Sequence, residues 1–483
     1  RLKSKWRRTN NWRGMILIDP VLKIEWSLLS PSNSTVSIPT WGQLMRAAIL
    51  NFTADRANWG CQATSIGLYR FLSHILKPHG FTQISTVLFP HSHIKDVLQR
   101  RQFGDRLREI YSNKNPSMND LKLLEKLCED RFREHVETVK ASDLIFFQGE
   151  GTMGPLKHYE NCRVFGLPYL AKKLWKKPVI SINQSFVTNS DIDLNAAKNI
   201  FNSFDLNVFR ETKSLNMATS DGINRATLCP DFAFEKEKDL WIREAIGATP
   251  KYFCVTGSAG LQNYDLDGYA RSIETLKSNT GLSPTCIFSR KSDAKIVQKL
   301  EERLGKGSVD VVTHDTARSH AEILPILEKA AFTLGGRYHT AISSLCMKTP
   351  VILTAGCSYK NKGLGGLIGM ELPILQPEDT LGINNQAQHY LSNVSWTRSS
   401  LETGLHSILK AHTALAEFLD SNLAGFLEGK SVNPIALSNA PSGGGPLALS
   451  NIKMPKPPSA KHSRLRTQLS LKANIQQSLW TVQ

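Results

Sequence analysis

Gly335-Gly336-Arg337-Tyr338-His339-Thr340 places two glycines, a permanent cation and a side chain that titrates near neutrality within six residues. An apolar run, Ala331-Phe332-Thr333-Leu334, comes before it and reads as a strand. Another, Ala341-Ile342-Ser343-Ser344-Leu345-Cys346-Met347, comes after it and reads as a helix. A strand, a glycine pair and a helix start together present backbone N–H groups to an anion. The chemistry expected of Gly335, Gly336, Arg337 and His339 is therefore anion binding coupled to proton transfer. A tight strand-to-helix turn with an incidental histidine would use the same residue types.

The elements that must position this turn follow from hydrophobic periodicity. Strands are expected at 47–52, 86–89, 143–147, 178–182 and 206–209, with one-faced helices at 63–76 and 120–140. The chain turns polar near 231–250, and the pattern then restarts with strands at 252–256, 285–289, 309–313, 331–334 and 349–353. Leu401, Leu405, Ile408, Leu415, Leu419 and Leu423 mark a last long helix. Alternating strands and helices imply parallel sheets covered on both faces. The expected fold is α/β, two Rossmann-like domains facing a central cleft in a GT-B-like arrangement. Residues 45–235 would form the first domain and 250–430 the second, which carries the turn. A basic extension, 1–44, would precede them, and a basic low-complexity tail, 431–483, would follow. Ligands of open α/β sheets bind at the carboxyl ends of strands. Asn58 and Gly60, Glu150, Arg210, and Ser358 with Lys360 all fall after expected strands.

Bulk properties narrow the class. The chain has 483 residues, 41% hydrophobic and 21% charged, which suits a soluble protein with real cores. Of its net charge of +17, twelve units sit in residues 1–14 and 431–483, which hold no acid. Those ends read as solvated tails, with peripheral membrane contact as an alternative and no specific nucleic-acid partner. The middle is mildly basic, as handling an anionic substrate requires. Eight cysteines without a Cys-x-x-Cys pair fit neither a structural zinc site nor a disulfide framework. A cytoplasmic location is expected, peripheral at the membrane if the tails bind it, or the Golgi lumen if an upstream targeting segment is missing. No metal ligand set is recognised; His91-x-His93 reads as a loop.

Five short motifs occur in order: Asn58-Trp59-Gly60; Gly149-Glu150-Gly151-Thr152; Arg210-Glu211 with Ser214; Pro230-Asp231-Phe232-Ala233-Phe234; and Gly335-Gly336-Arg337-Tyr338-His339. This series resembles the polysaccharide pyruvyl transferases over residues 45–365. Many members carry an acid where this chain has Cys61. The resemblance implies transfer of a pyruvyl group from phosphoenolpyruvate to two hydroxyls of a sugar, releasing phosphate, with no further cofactor. Phosphoenolpyruvate and a sugar or polysaccharide acceptor would then be the partners.

On that reading Arg337 and Arg210 bind the donor's phosphate and carboxylate, because guanidinium grips either anion with two donors. His339 protonates carbon 3 of the enol, and Glu150 is the candidate base. Backbone amides at Asn58 and Gly60 hold substrate hydroxyls or phosphate, or else the segment is only a helix cap. Arg210 could instead pair at the surface with Glu211, and Arg337 with a structural acid. Asp231 is expected to organise the interdomain crossover. Ser358 and Lys360, ahead of Gly363-Leu364-Gly365-Gly366, read as a glycine-rich basic loop and a second anion contact. His314-Asp315, at another strand end, is a lesser candidate. Two other functions share these features: a GT-B glycosyltransferase using a nucleotide-sugar donor, and a non-catalytic polyanion-binding module.

Overall fold

Near-continuous apolar runs such as Ala47-Ala48-Ile49-Leu50 and Leu144-Ile145-Phe146-Phe147 leave no polar face, so each must be a strand covered from both sides. The computed structural model describes residues 44–432, apart from 92, 154–155, 188–192, 238–249, 259–264, 289–292, 356–359 and 431. The terminal extensions and Ser358 therefore lie outside the described residues.

The first lobe runs β1 (Met45–Phe52), α1 (Trp59–Leu76), β2 (Phe81–Leu88), α2 (Ile94–Ser112), α3 (Met118–Lys140), β3 (Leu144–Glu150), α4 (Gly166–Lys173), β4 (Val179–Gln184), α5 (Leu194–Ser203), β5 (Leu206–Phe209), α6 (Thr212–Ser220) and β6 (Ala226–Leu228). A short helix, α7 (Ala233–Glu237), leaves it. The second lobe runs β7 (Tyr252–Thr256), α8 (Leu266–Thr280), β8 (Ser283–Ile287), α9 (Ala294–Leu304), β9 (Asp310–Val312), α10 (His320–Glu328), β10 (Thr333–Gly335), α11 (Tyr338–Cys346), β11 (Val351–Thr354), α12 (Lys360–Ile368), β12 (Ile374–Leu375) and α13 (Thr380–Ser392). α14 (Val394–Leu427) closes the described chain.

Each lobe holds a six-stranded parallel sheet, β2-β1-β3-β4-β5-β6 in the first and β12-β11-β10-β7-β8-β9 in the second. Read from its far edge, the second sheet has the dinucleotide-fold order 3-2-1-4-5-6. The first follows the flavodoxin order 2-1-3-4-5, extended by one strand. The strand order therefore reverses between β1 and β3 and between β7 and β10. Crevices for ligands open at those two places.

Several boundaries differ from the sequence expectation for local reasons. α1 begins at Trp59, four residues before the expected start at Ala63, because the Asn58 side chain caps it. α2 escaped the periodicity search; its apolar face is sparse, and a capping box between His93 and Asp96 starts it, so the expected His91-His93 loop is in part a helix cap. The glycine-rich run after Lys360 is not a loop but α12. Two of its three glycines serve packing: a Cβ on Gly363 would lie 2.9 Å from Glu211, and one on Gly365 would lie 2.6 Å from the Met370 carbonyl oxygen.

α14 changes lobes along its length. Leu401, Leu405 and Ile408 pack beside α11 and α12. Leu415, Phe418, Leu419, Leu423 and Phe426 join the first lobe's core with Leu68, Phe71, Leu72 and Ile75 of α1. The end of the described chain thus covers the sheet that began it. Leu415 is wholly buried there. Leu415→Ala should cost about 2–5 kcal/mol and lower the thermal midpoint, as differential scanning calorimetry would show. An unchanged midpoint would mean that α14 does not seal the first lobe.

Candidate active site

Polar residues gather where the two sheets reverse. At the carboxyl ends of the first lobe's strands, Asn51 (φ 59°), Glu150 (φ 45°) and Asn183 (φ 58°) adopt left-handed backbone, which non-glycine residues seldom do and which clusters at functional sites. A cavity of about 310 Å³ opens at this edge. Its first-lobe wall includes Asn51, Thr53, Arg56, Gln148 and Glu150; its second-lobe wall includes Arg337, Tyr338, His339, Thr340 and Lys360. Arg210, though buried, also lines it.

The glycines of the sequence motifs are points of close approach. A Cβ on Gly149 would collide with the Gln184 side chain, and one on Gly151 would sit 2.9 Å from Lys360 Nζ across the cleft. Between them, Glu150 is fixed twice. Its carbonyl accepts from Ser185 N at 2.7 Å. Its carboxylate accepts from Thr53 Oγ1 at 2.7 Å and from Gln148 Nε2 at 2.5 Å. Asn51 Nδ2 and Gln148 Oε1, both buried on the same wall, have no hydrogen-bond partner among the described residues.

The turn at 335–340 differs in detail from the expected anion cradle. Gly335 (φ 146°) is a glycine because any Cβ would strike Thr256. The Gly336 N–H donates to Gly257 O at 3.1 Å, so this amide is not an open donor. The glycine pair supplies close packing, and α11 supplies the donors. That helix starts at Tyr338, three residues before the expected Ala341, and no side chain among the described residues caps it. The first-turn amides of Tyr338, His339 and Thr340 therefore carry the helix N-terminal charge at the cavity. Arg337, just ahead of them, donates from Nη2 to Asp293 Oδ1 at 2.6 Å. It thus lines the cavity and also has the structural acid weighed as the alternative.

The N-terminus of α1 is closed in the same way. Asn58 Oδ1 accepts from Gly60 N at 3.0 Å and from Cys61 N at 3.3 Å. The Gly60 amide is occupied by the cap and the Asn58 amide donates to Arg56 O at 2.7 Å, so of the two readings weighed for this segment the geometry is that of the helix cap rather than of open substrate donors. Gly60 has another role: a Cβ there would lie 2.5 Å from His339 Nδ1. Only glycine leaves room for the imidazole there.

The two lobes meet in a buried charge cluster. Arg210, with no exposed surface, donates from Nε to Ser185 Oγ and from Nη1 to Asp231 Oδ2, each at 2.7 Å. The expected surface pair with Glu211 does not form, because Glu211 turns away to cap α6. Asp231 is equally buried. Its Oδ1 accepts from Thr64 Oγ1 and from Ala233 N, both at 2.8 Å. His339 Nε2 lies 3.3 Å from Asp231 Oδ2 and 3.4 Å from Arg210 Nη1. The Arg210 guanidinium also lies 5.0 Å from the centre of the Tyr338 ring. Burial alone would raise the Asp231 carboxyl, but His339 and then Arg210 outweigh it and hold the group well below the usual carboxylate range. Asp231, assigned from the sequence to the crossover, is thus in direct contact with the candidate proton donor.

His314 does not reach the cavity; it stacks on Trp59 at 4.2 Å, in a contact between the lobes. Trp59 Nε1 donates to Ala317 O at 2.9 Å on the same seam. Among the described residues, no three His, Cys, Asp or Glu side chains converge as a metal site would need. No helix among them is long and apolar enough to cross a membrane.

Two parallel α/β lobes around one cleft, tied by a returning helix, make this a protein of the GT-B class. Its fold is similar to that of S. aureus MnaA, solved with UDP: TM-score 0.52 and 12% identity, covering 81% of this chain and 99% of that one. It is also similar to a putative UDP-N-acetylglucosamine 2-epimerase from Listeria monocytogenes, with TM-score 0.50, 11% identity, and 82% and 99% of the two chains covered. The model of the polysaccharide pyruvyl transferase family matches residues 82–358, more than half of the sequence, and the chain belongs to that family. A search of curated proteins returns no significant match.

The Asp231 cluster predicts a pH effect of defined sign. A carboxyl whose folded-state pKa is depressed contributes stability that is fully present above its unfolded value, about 4, and declines as the pH falls below it. Asp231→Asn leaves the Arg210 charge buried without its counter-ion and should cost about 3–5 kcal/mol near neutrality. The difference in melting temperature from wild type should narrow as the pH falls from about 6 to about 3. A difference that stays constant over that range would contradict the ion pair.

Proposed function

We propose that this protein transfers a pyruvyl group from phosphoenolpyruvate to two hydroxyls of a glycan sugar, forming a cyclic ketal and releasing phosphate. One observation carries the reading: His339 is held by a buried carboxylate and guanidinium at the edge of a cavity that also receives Arg337, Lys360 and the uncapped start of α11. A three-carbon donor bearing a phosphate and a carboxylate needs two cationic grips beside one proton donor. Family membership favours the same chemistry.

The steps balance as follows. The first sugar hydroxyl adds to carbon 2 of the enol and gives its proton to Glu150, while His339 delivers a proton to carbon 3. The bond from carbon 2 to the phosphate oxygen then breaks, and phosphate leaves with the proton from Glu150. The second hydroxyl attacks carbon 2, and its proton restores His339. In the tautomer that donates from Nε2 to Asp231, Nδ1 is the atom that exchanges protons, as in a carboxylate-oriented imidazole. It is also the ring nitrogen beside Gly60 on the cavity wall. Arg337, Lys360 and the α11 amides hold the donor's anionic groups.

The nucleotide-sugar alternative is the less supported one. Neither α11 nor α12, the helices at the candidate donor site, carries an acid that could hold a ribose or a sugar. The likeness to nucleotide-sugar enzymes is one of fold.

Arg337→Lys keeps the charge but loses the fork, so the KM for phosphoenolpyruvate should rise about tenfold or more. His339→Ala should leave binding in place and lower turnover by about 10²–10⁴-fold. Gly60→Ala, whose Cβ would displace His339, should also lower turnover. The assay is phosphate release from phosphoenolpyruvate against a panel of galactosides, mannosides and glucosides. Full turnover in His339→Ala, or protection by nucleotide sugars with none by phosphoenolpyruvate, would end this reading.

A further inference from the structure

Arg56 is far in sequence from Lys157 and Arg163, and nothing in its spacing links it to them. The fold gathers Arg56 and Arg163 around Phe89, just after β2. Asn161 joins Lys157 to Arg163, donating from Nδ2 to the Lys157 carbonyl and accepting at Oδ1 from the Arg163 amide. The Arg56 guanidinium lies 4.6 Å from the centre of the Phe89 ring, and that of Arg163 lies 4.7 Å from the same point. Arg56 and Phe89 are themselves part of the cavity wall, so the cluster extends outward from it.

Its charges are not matched from within. Arg56 Nη2 donates to Phe89 O at 3.3 Å and Arg163 Nε to Pro90 O at 2.8 Å; both acceptors are neutral carbonyls. Arg56 Nε is buried without an acceptor among the described residues. The acids nearby are engaged elsewhere: Asp96 with Arg131 at 2.6 Å, Glu160 with Arg108 at 3.2 Å and Arg100 at 3.9 Å, and Asp55 with His91 at 3.9 Å. Arg56, Lys157 and Arg163 form no ion pair among the described residues. Burial, then Arg100 and Arg163, lower the pKa of Lys157. Burial, followed by Arg163 and Lys157, pushes His158 down to about 4. Burial also lowers Arg163, where Asp96 opposes it and Arg56 and Arg131 add to it. Like charges crowded in partly desolvated surroundings destabilise a fold, and a bound anion relieves them.

We propose that Arg56, Arg163 and Lys157 form an anion-binding strip leading out of the cavity, which recognises a phosphoryl or carboxylate group on the acceptor sugar. This rests on the pyruvyl-transfer reading for the word acceptor. The donor's two anionic groups are already assigned to Arg337, Lys360 and α11 on the second lobe. The strip lies on the first lobe, beside the wall where Asn51 Nδ2 and Gln148 Oε1 lack partners among the described residues. Those neutral groups suit sugar hydroxyls, and the strip suits a charge attached to the same sugar.

The test is calorimetric titration of the full chain with methyl galactoside, galacturonic acid and galactose 1-phosphate, together with their mannose counterparts. Wild type should bind a charged sugar at least about tenfold more tightly than its neutral partner. Whether the carboxylate or the phosphate gains more identifies the substituent. Lys157→Gln and Arg163→Gln should each reduce that preference, and together they should abolish it. Lys157→Gln should melt no lower than wild type, since it removes a repelled charge. Equal or undetectable binding of all the sugars would overturn the proposal. So would a preference that survives both substitutions, because the anion would then sit in the donor pocket. Phosphate release from phosphoenolpyruvate separates the two claims. If no acceptor supports release while the strip-dependent preference persists, pyruvyl transfer fails and the anion site stands.

Discussion

A carboxylate with no exposed surface, Asp231, sits between a buried guanidinium and an imidazole contributed by the other lobe. Leaving any one of these charges unmatched in such surroundings is costly. The cluster is therefore stable only when β5, the segment after β6 and the start of α11 are all in place. Charge pairing across the cleft fixes how the lobes meet, and the cavity exists because they meet in this way. The seam around it is completed by Trp59, stacked on His314 and bonded to Ala317.

The division of labour in the cavity follows from the two sheets. Each reverses its strand order once, and both reversals open onto the same space. The second lobe brings a helix N-terminus and cations, a surface suited to a small dianion. The first brings amides, a hydroxyl and a fixed carboxylate from strand ends held in left-handed backbone. The neutral amides and the hydroxyl among them suit hydroxyl groups.

Glycine carries much of the specificity of this arrangement, and for steric reasons. Gly60, Gly149, Gly151, Gly335 and Gly336 each stand where a Cβ would meet another element at or below contact distance. Three of these contacts, those of Gly60, Gly149 and Gly151, touch candidate functional groups or their supports. The motif glycines thus record how closely the backbone packs against the site. The amides of Gly60 and Gly336 are taken by the protein's own acceptors and are not open anion donors.

The apolar runs by themselves determined two parallel α/β lobes and placed the candidate residues at strand ends, because burial on both faces leaves a strand little freedom in composition. The motif order also identified His339, Arg337, Arg210 and Glu150 as residues of one site, the basic run after a strand added Lys360, and all five line the cavity. Their partners were not legible. Asp231 and Arg210 are 21 residues apart and His339 is 108 beyond Asp231, and no local pattern encodes contacts across such distances. The same applies to Asn51, Gln148 and the Arg56–Arg163 pair around Phe89, which have no helical or strand period in common. Only the tertiary structure decided which amides are occupied, which glycines make room for a side chain and which charges remain unmatched, since each depends on groups that meet only when the chain closes.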